Sequence, residues 1–515
     1  MADQKQTAAK HQSIKDRGKI CKCWKVISIL LILIPILISA YLASRFLPDR
    51  AVSYTAIEEH FKYGSTGGER NLGIPYWIWR AAPHICSEML PDKKRDDIGF
   101  ESLGMIYEEG KTLPVGVSTR RHLGLDRVFL NCAACHSSTI RKTAEDKPEI
   151  ILGMPASRLN FMGFEKFFFQ CVTSEKFNRN YLIPEIDRLG ADLDFIDRYL
   201  VYPLAIWLTQ ERLQLLASRL SFVYRQPDWG PGRVDTFNAA KAIFNWDWNK
   251  ASAREMIGTT DFPSIWNQRQ RKHRDDGEPM ELHWDGNNDK VEERNLSAAF
   301  GTGATPPIAD HKAIGRIEDW LLVHQPLAYP FAINQKLATQ GGAIYKEYCA
   351  ACHGASGTDF SGAKVGYVEE IDSIGTDRWR LDSYTAELAA NQATLYTGDE
   401  KYRFKRFRKT NGYANLPLDG IWLRAPYLHN GSVPTLRDLL EPSDERPEVF
   451  YRGNDVLDSW NVGFVTDVAE ENGRKYFRFD TSIAGNSNKG HEGAAYGTEL
   501  PAAQKKALIE YLKTF

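Results

Sequence analysis

Apolar residues gather first in one block, Val26–Ser44, nineteen residues without a charge. A helix of that length and composition reaches across the hydrocarbon core of a bilayer. Lys10, Lys15, Arg17, Lys19, Lys22 and Lys25 precede it, and a basic flank of this kind stays in the cytoplasm. The pattern predicts a cytoplasmic stretch over 1–25, a transmembrane anchor over 26–45, and a periplasmic remainder. A cleaved signal peptide is the rival reading. The run is longer than a usual signal core and no small-Xaa-small site follows it, which favours a retained single-pass anchor in the inner membrane.

Later patterns are shorter. Leu189–Leu220 carries Leu, Ile and Phe at helical spacing and predicts one or two packing helices. Phe161–Gln170 is heavily aromatic and reads as core. Asn334–Tyr348 is periodic at helical spacing and runs straight into Cys349. Pro501–Phe515 opens with a proline suited to a first turn and sets Ala507, Leu508, Tyr511 and Leu512 on one stripe. Gly153, Pro155, Gly230-Pro231-Gly232 and Pro306-Pro307 punctuate the longer first part. The expected fold is mainly α with extended loops: one unit with insertions over 46–330 and a second over 331–515.

Composition changes little. The chain has 515 residues, enough for several domains, and a net charge of −1 that gives no reason to expect nucleic acid. Cysteine changes more. Of eight, Cys21 and Cys23 precede the apolar block, and four belong to one repeated pattern.

That pattern is Cys132-Ala-Ala-Cys135-His136, repeated as Cys349-Ala-Ala-Cys352-His353. Two thiols so spaced can form thioethers to the two vinyl groups of one haem, while the adjacent His reaches the iron. With 8 Cys and 12 His in 515 residues, chance supplies roughly 0.003 such motifs. A zinc site or a redox dithiol explains the Cys pairs but not the His after each. Two covalently bound haem c groups are expected, held by these four Cys, with His136 and His353 on the irons. Cys86 and Cys171 remain. A disulfide between them suits an oxidising compartment, and two separate buried thiols fit the sequence equally well.

The second axial position decides the chemistry, because a saturated iron transfers electrons and an open one meets oxygen or peroxide. No Met follows His353, since the last is Met280. Within its own unit the second haem has only His429 and His491 to choose from. His491 lies in a Gly- and Asn-rich loop able to fold closely over a haem edge. For the first haem, His122, His273, His283, His311 and His324, with Met154, Met162, Met256 and Met280, all qualify and no spacing selects one.

Arg424-Ala-Pro-Tyr-Leu-His-Asn-Gly-Ser-Val-Pro434 resembles a signature of the bacterial dihaem cytochrome c peroxidase superfamily. Several stretches are similar to its dihaem rubber oxygenase branch: Gly73–Trp79, Gly230–Phe237, Leu282–Asn288 with Glu292–Asn295, and Asn486–His491. The resemblance spans about residues 70 to 515. It implies an N-terminal haem with an open face that meets O2 or H2O2, and a C-terminal haem made six-coordinate by a late His, matching His491. It also implies a Trp and a Phe in the reactive pocket, placed by position at Trp284 and Phe300. It keeps His429 near the haems but off the iron. It agrees with export, because haem attachment in such bacterial cytochromes occurs outside the cytoplasmic membrane. The chain departs from the branch in its tether and its shorter length, and both argue against a long polymeric substrate. The sequence thus points to a membrane-anchored haem-dependent oxidoreductase, oxygenase or peroxidase, served by a periplasmic electron donor. A pure electron carrier is the rival class.

Overall fold

The computed structural model describes the backbone of residues 2–94 and 97–515 and the side chains from Trp24 onward. The basic residues 10–22 and Cys21 and Cys23 therefore lie outside the described side chains. Helix α1, Ala2–Phe46, contains the apolar block, and its stretch Trp24–Phe46 is wholly unburied. It is long and apolar enough to cross a membrane, and a signal sequence has the same character.

The expectation of a mainly α fold with two helical haem units is corrected here. Helix makes up 39 % of the chain and strand 12 %, the latter in many small sheets. The largest sheet is antiparallel and orders β1 (Arg50–Ala51), β3 (Val117–His122), β4 (Leu125–Leu130) and β2 (Ile74–Pro75). β3 and β4 are joined by Leu123 and Gly124, both at positive φ (50° and 78°). A two-residue turn of that hand matches strand twist, which is why so short a loop closes the hairpin. Strands of two to six residues carry too few alternations to stand out in a sequence.

After β2 comes α2 (Tyr76–Ile85), and after β4 the short α3 (Cys132–Cys135). A hairpin of β5 (Ser137–Ile140) and β6 (Glu149–Leu152) follows. Helix α4, Phe161–Cys171, is core, as its aromatic sequence suggests. Phe164 and Phe168 pack on Trp79 with ring centroids 5.5 and 5.6 Å away, and Phe100 lies 5.0 Å from the same Trp. Cys86 and Cys171 form a disulfide that ties the end of α2 to the end of α4. Closing a loop of 85 residues this way stabilises the fold by roughly 4–5 kcal/mol in the chain-entropy account. Helix α5 (Arg179–Arg188) packs on α2, and a π-helical turn at Asp197–Val201 leads into α6 (Tyr202–Arg219).

Further on lie α7 (Val291–Gly301) and α8 (Gln335–Tyr348), the latter capped by Asn334 accepting from the Leu337 amide. The chain ends in α10 (Ala502–Leu512), with α9 (Ala350–His353) carrying the second motif. Helices α8 and α10 cross closely because Gly341 has no side chain; a Cβ there would sit 2.0 Å from the Ala507 carbonyl. Their core is not theirs alone. Ile140, Ile151, Met154 and Trp266 share one apolar cluster with Trp422, Leu423, Val433 and Leu508. Arg141 reinforces the join through a buried pair with Asp455 at 2.7 Å.

Candidate haem sites

Two different local structures present the same five residues. The first motif leaves β4 and turns into α3 under a cap: Asn131 accepts the Ala133 amide at 3.0 Å and donates to the Gly64 carbonyl at 2.9 Å. No long helix delivers it. The second motif leaves the C-terminal end of α8 directly, as the sequence predicts.

Both histidines are then oriented alike. His136 Nδ1 donates to the Pro263 carbonyl at 2.9 Å, and His353 Nδ1 donates to the Leu416 carbonyl at 2.8 Å. A carbonyl can only accept, so each bond fixes the proton on Nδ1 and leaves the Nε2 lone pair free for a metal. Burial depresses both imidazoles, with His136 down to about 4, so they are neutral and able to ligate.

The thiols argue the same way. All four motif cysteines are unpaired, and burial raises Cys132 to about 11 and Cys135 and Cys349 to about 12. Burial therefore keeps the neutral thiol at these positions. Among the described residues, no three or more His, Cys, Asp or Glu gather as a chelating group.

His136, Cys135 and His353 are only partly covered by protein. Around the first motif the wall is largely apolar, with Phe61, Val115, Ile265, Ile317 and Leu321 in one cluster with Ala133.

Across from His353 stands His491, with ring centroids 6.1 Å apart and planes tilted by 44°. Two imidazoles sharing one metal, each about 2 Å from it, set their centroids roughly 6 Å apart. The donor set therefore fits a haem iron between them. The His491 loop is held firmly. Its amide donates to the Ile374 carbonyl at 2.8 Å, and Arg446 donates to the carbonyls of Asn488, Gly490 and His491. Gly490 lies against Gly375 and Thr376 so closely that a Cβ would fall 2.3 Å from their backbone. Burial takes His491 down to about 3, with His353 adding to the effect, and its Nδ1 is buried without a partner.

His429 sits elsewhere. It stacks face to face on Tyr413 at 4.0 Å, and its buried Nε2 has no hydrogen-bond partner. Its motif folds around Gly431, whose φ is +62° and whose missing Cβ leaves space for the Arg452–Asp261 pair.

Trp284 occupies a junction. Its indole N–H donates to the Asp261 carbonyl at 2.9 Å, two residues before the Pro263 that orients His136. Its own carbonyl accepts the Ala414 amide at 2.8 Å, two residues before the Leu416 that orients His353. The ring packs with Ile371, Ile374, Leu381 and Tyr413. Phe300 is buried near the end of α7 and does not join that cluster.

Two residues near the first motif escaped the sequence reading. Arg294 on α7, which helps to depress His136, is itself pushed down to about 10 by burial and rests on Asn295. Glu165 on α4 is raised to about 8 by burial, with Asp235 adding, and its Oε2 has no partner. The available signal was one carboxylate among the five phenylalanines of α4.

Against known proteins, residues 412–451 match a family described as RoxA-like, cytochrome c-like. The segment contains Tyr413, Leu416 and the whole His429 motif. An uncharacterized Sinorhizobium fredii protein, y4iM, is 32 % identical over 50 % of this chain and 64 % of its own length. A second from that organism, y4iJ, is 32 % identical over 36 % of this chain and 39 % of its own. The chain thus spans less than two thirds of either relative. The match links it to the cytochromes c, whose haem is covalently bound.

Proposed function

We propose that this chain is a membrane-anchored dihaem c-type cytochrome oxidoreductase whose two haem sites do different work. Cys132, Cys135 and His136 would hold the reactive haem, within the portion over 46–330. Cys349, Cys352, His353 and His491 would hold the electron-transfer haem, within 331–515. The observation that carries the reading is an asymmetry: His491 faces His353, and no comparable His pair includes His136 among the described residues. When bound, a haem with one protein ligand supplies oxygen or peroxide chemistry, and one with two supplies electron transfer.

The protein's part follows from its side chains. The Pro263 and Leu416 carbonyls fix the proximal tautomers. The apolar wall around Ala133 excludes water at the first site. Glu165, raised to about 8, keeps a proton on its carboxyl at neutral pH. Trp284 and Phe300 are offered as pocket residues, Trp284 through its packing between the two motifs. Helix α1 would stay in the inner membrane and leave the haem portions in the periplasm, where O2 or H2O2 and an electron donor are available.

One spectrum tests the division of work. The reduced protein should bind CO at one haem and stay low-spin at the other. Mass spectrometry should find two haem additions. Protein that binds no CO would be an electron carrier instead.

A further inference from the structure

Large apolar side chains on a protein surface normally occur singly. Beyond α1, one region among the described residues breaks that rule. Phe195, Tyr199, Leu200, Leu204, Trp207 and Leu208 are between 44 % and 78 % exposed. They fall on one face of the helical segment from the π-turn into α6, whose other face, with Val201, Tyr202, Ala205 and Ile206, is buried. From Tyr199 to Leu208 there is no charge.

This bare face lies where the membrane-type helix ends. Arg45, in the last turn of α1, bonds Asp194 at 2.6 Å and also Asp197, the residues that flank Phe195 and begin the π-turn. The β3–β4 turn meets the same helix end: a Cβ on Gly124 would lie 2.4 Å from the Phe46 ring. That turn exposes Leu123, and α1 is followed by exposed Leu47. A cavity of about 490 Å³ beside them is lined by Arg50, Arg121 and Thr119, with Asp126.

We propose that this surface is a second membrane contact: the outer face of α6, with Leu47 and Leu123, rests in the interfacial layer of the leaflet from which α1 emerges. The proposal rests on the reading of α1 as a span. Its chemistry is that of an in-plane amphipathic element, with Trp207 and Tyr199 at headgroup depth and Leu200, Leu204 and Leu208 toward the acyl chains. Arg50 and Arg121 would meet lipid phosphates. Two attachments, one spanning and one lying flat, fix the tilt of the haem-bearing part, which a single tether leaves free.

The test uses the full-length protein in vesicles of phosphatidylethanolamine and phosphatidylglycerol. A photoreactive benzoylphenylalanine replaces Leu204 or Trp207 in turn, or Trp460, which is 80 % exposed elsewhere on the surface. An unchanged haem spectrum shows that each variant is folded. Lipid adducts at 204 and 207 and their loss at 460 are expected. Adducts at 204 and 207 to a second copy of this chain, without lipid, would overturn the proposal, as would no adduct at either. The N-terminus is sequenced on the same samples. Lipid adducts on a chain that has lost α1 keep the contact and remove the anchor, whereas retained α1 without adducts removes the contact alone.

Discussion

The two Cys-Xaa-Xaa-Cys-His segments share their residues and the orientation of their His, yet differ in nearly everything around them. One is suspended between strands under the Asn131 cap, walled by apolar side chains, with the buried Glu165 carboxyl, whose Oε2 has no partner, and buried Arg294 nearby. The other ends a well-packed helix and is faced by an imidazole from a clamped loop. Under the proposed reading, the five shared residues attach a haem and distant parts of the chain set what it does.

The comparison is broken most completely at His491. His491→Ala should turn the second haem from low to high spin and leave the first unchanged, as read by electron paramagnetic resonance. If His429→Ala does this instead, the assignment of the facing ligand is wrong. Next in size is Gly431→Ala. It places a Cβ within 2.3 Å of Arg452 and Asp261 at a φ of +62°, and should cost about 3–5 kcal/mol in urea unfolding because it disturbs a buried ion pair.

Glu165 sharpens the comparison through pH. Its folded pKa of about 8 lies above the unfolded value, so between them the folded state holds the extra proton and stability falls as pH rises. Glu165→Gln removes that slope. The variant should gain on the parent progressively from about pH 5 to pH 8, reaching at most a few kcal/mol in thermal melts. No change in the slope would mean that Glu165 ionises freely. Smallest is Trp284→Phe, which forfeits the bond to the Asp261 carbonyl at about 1 kcal/mol. It should also shift the CO adduct of the first haem; an unchanged adduct would return Trp284 to ordinary core.

What the sequence made legible was local. The apolar run, the helices at 335–348 and 502–512, and the aromatic core of α4 each announce themselves within one window of residues. The duplicated motif does so within five. The antiparallel sheet did not, because strands as short as Arg50–Ala51 pair with partners some seventy residues away and carry no periodicity of their own. That is why a mainly α fold was expected. Arg294 stood in view within Glu292–Asn295 without a role, since its burial close to His136 depends on distant parts of the chain. The Cys86–Cys171 bond was an even choice, because two thiols in sequence do not reveal their distance.

That bond has a consequence for how the protein is made. Beyond the apolar block the chain carries six cysteines, which can be fully paired in 15 ways. The mature protein keeps one pair, and both thiols of the first motif fall inside the loop it closes. Under the proposed dihaem reading, an oxidant must join Cys86 to Cys171 while the four motif thiols, two of them inside that loop, stay reduced for haem attachment. Thiol–disulfide exchange works through mixed intermediates, so a motif thiol oxidised too early can be recovered only by a reductant in the same compartment. Yield should accordingly depend on the balance of oxidant and reductant at export as much as on haem supply.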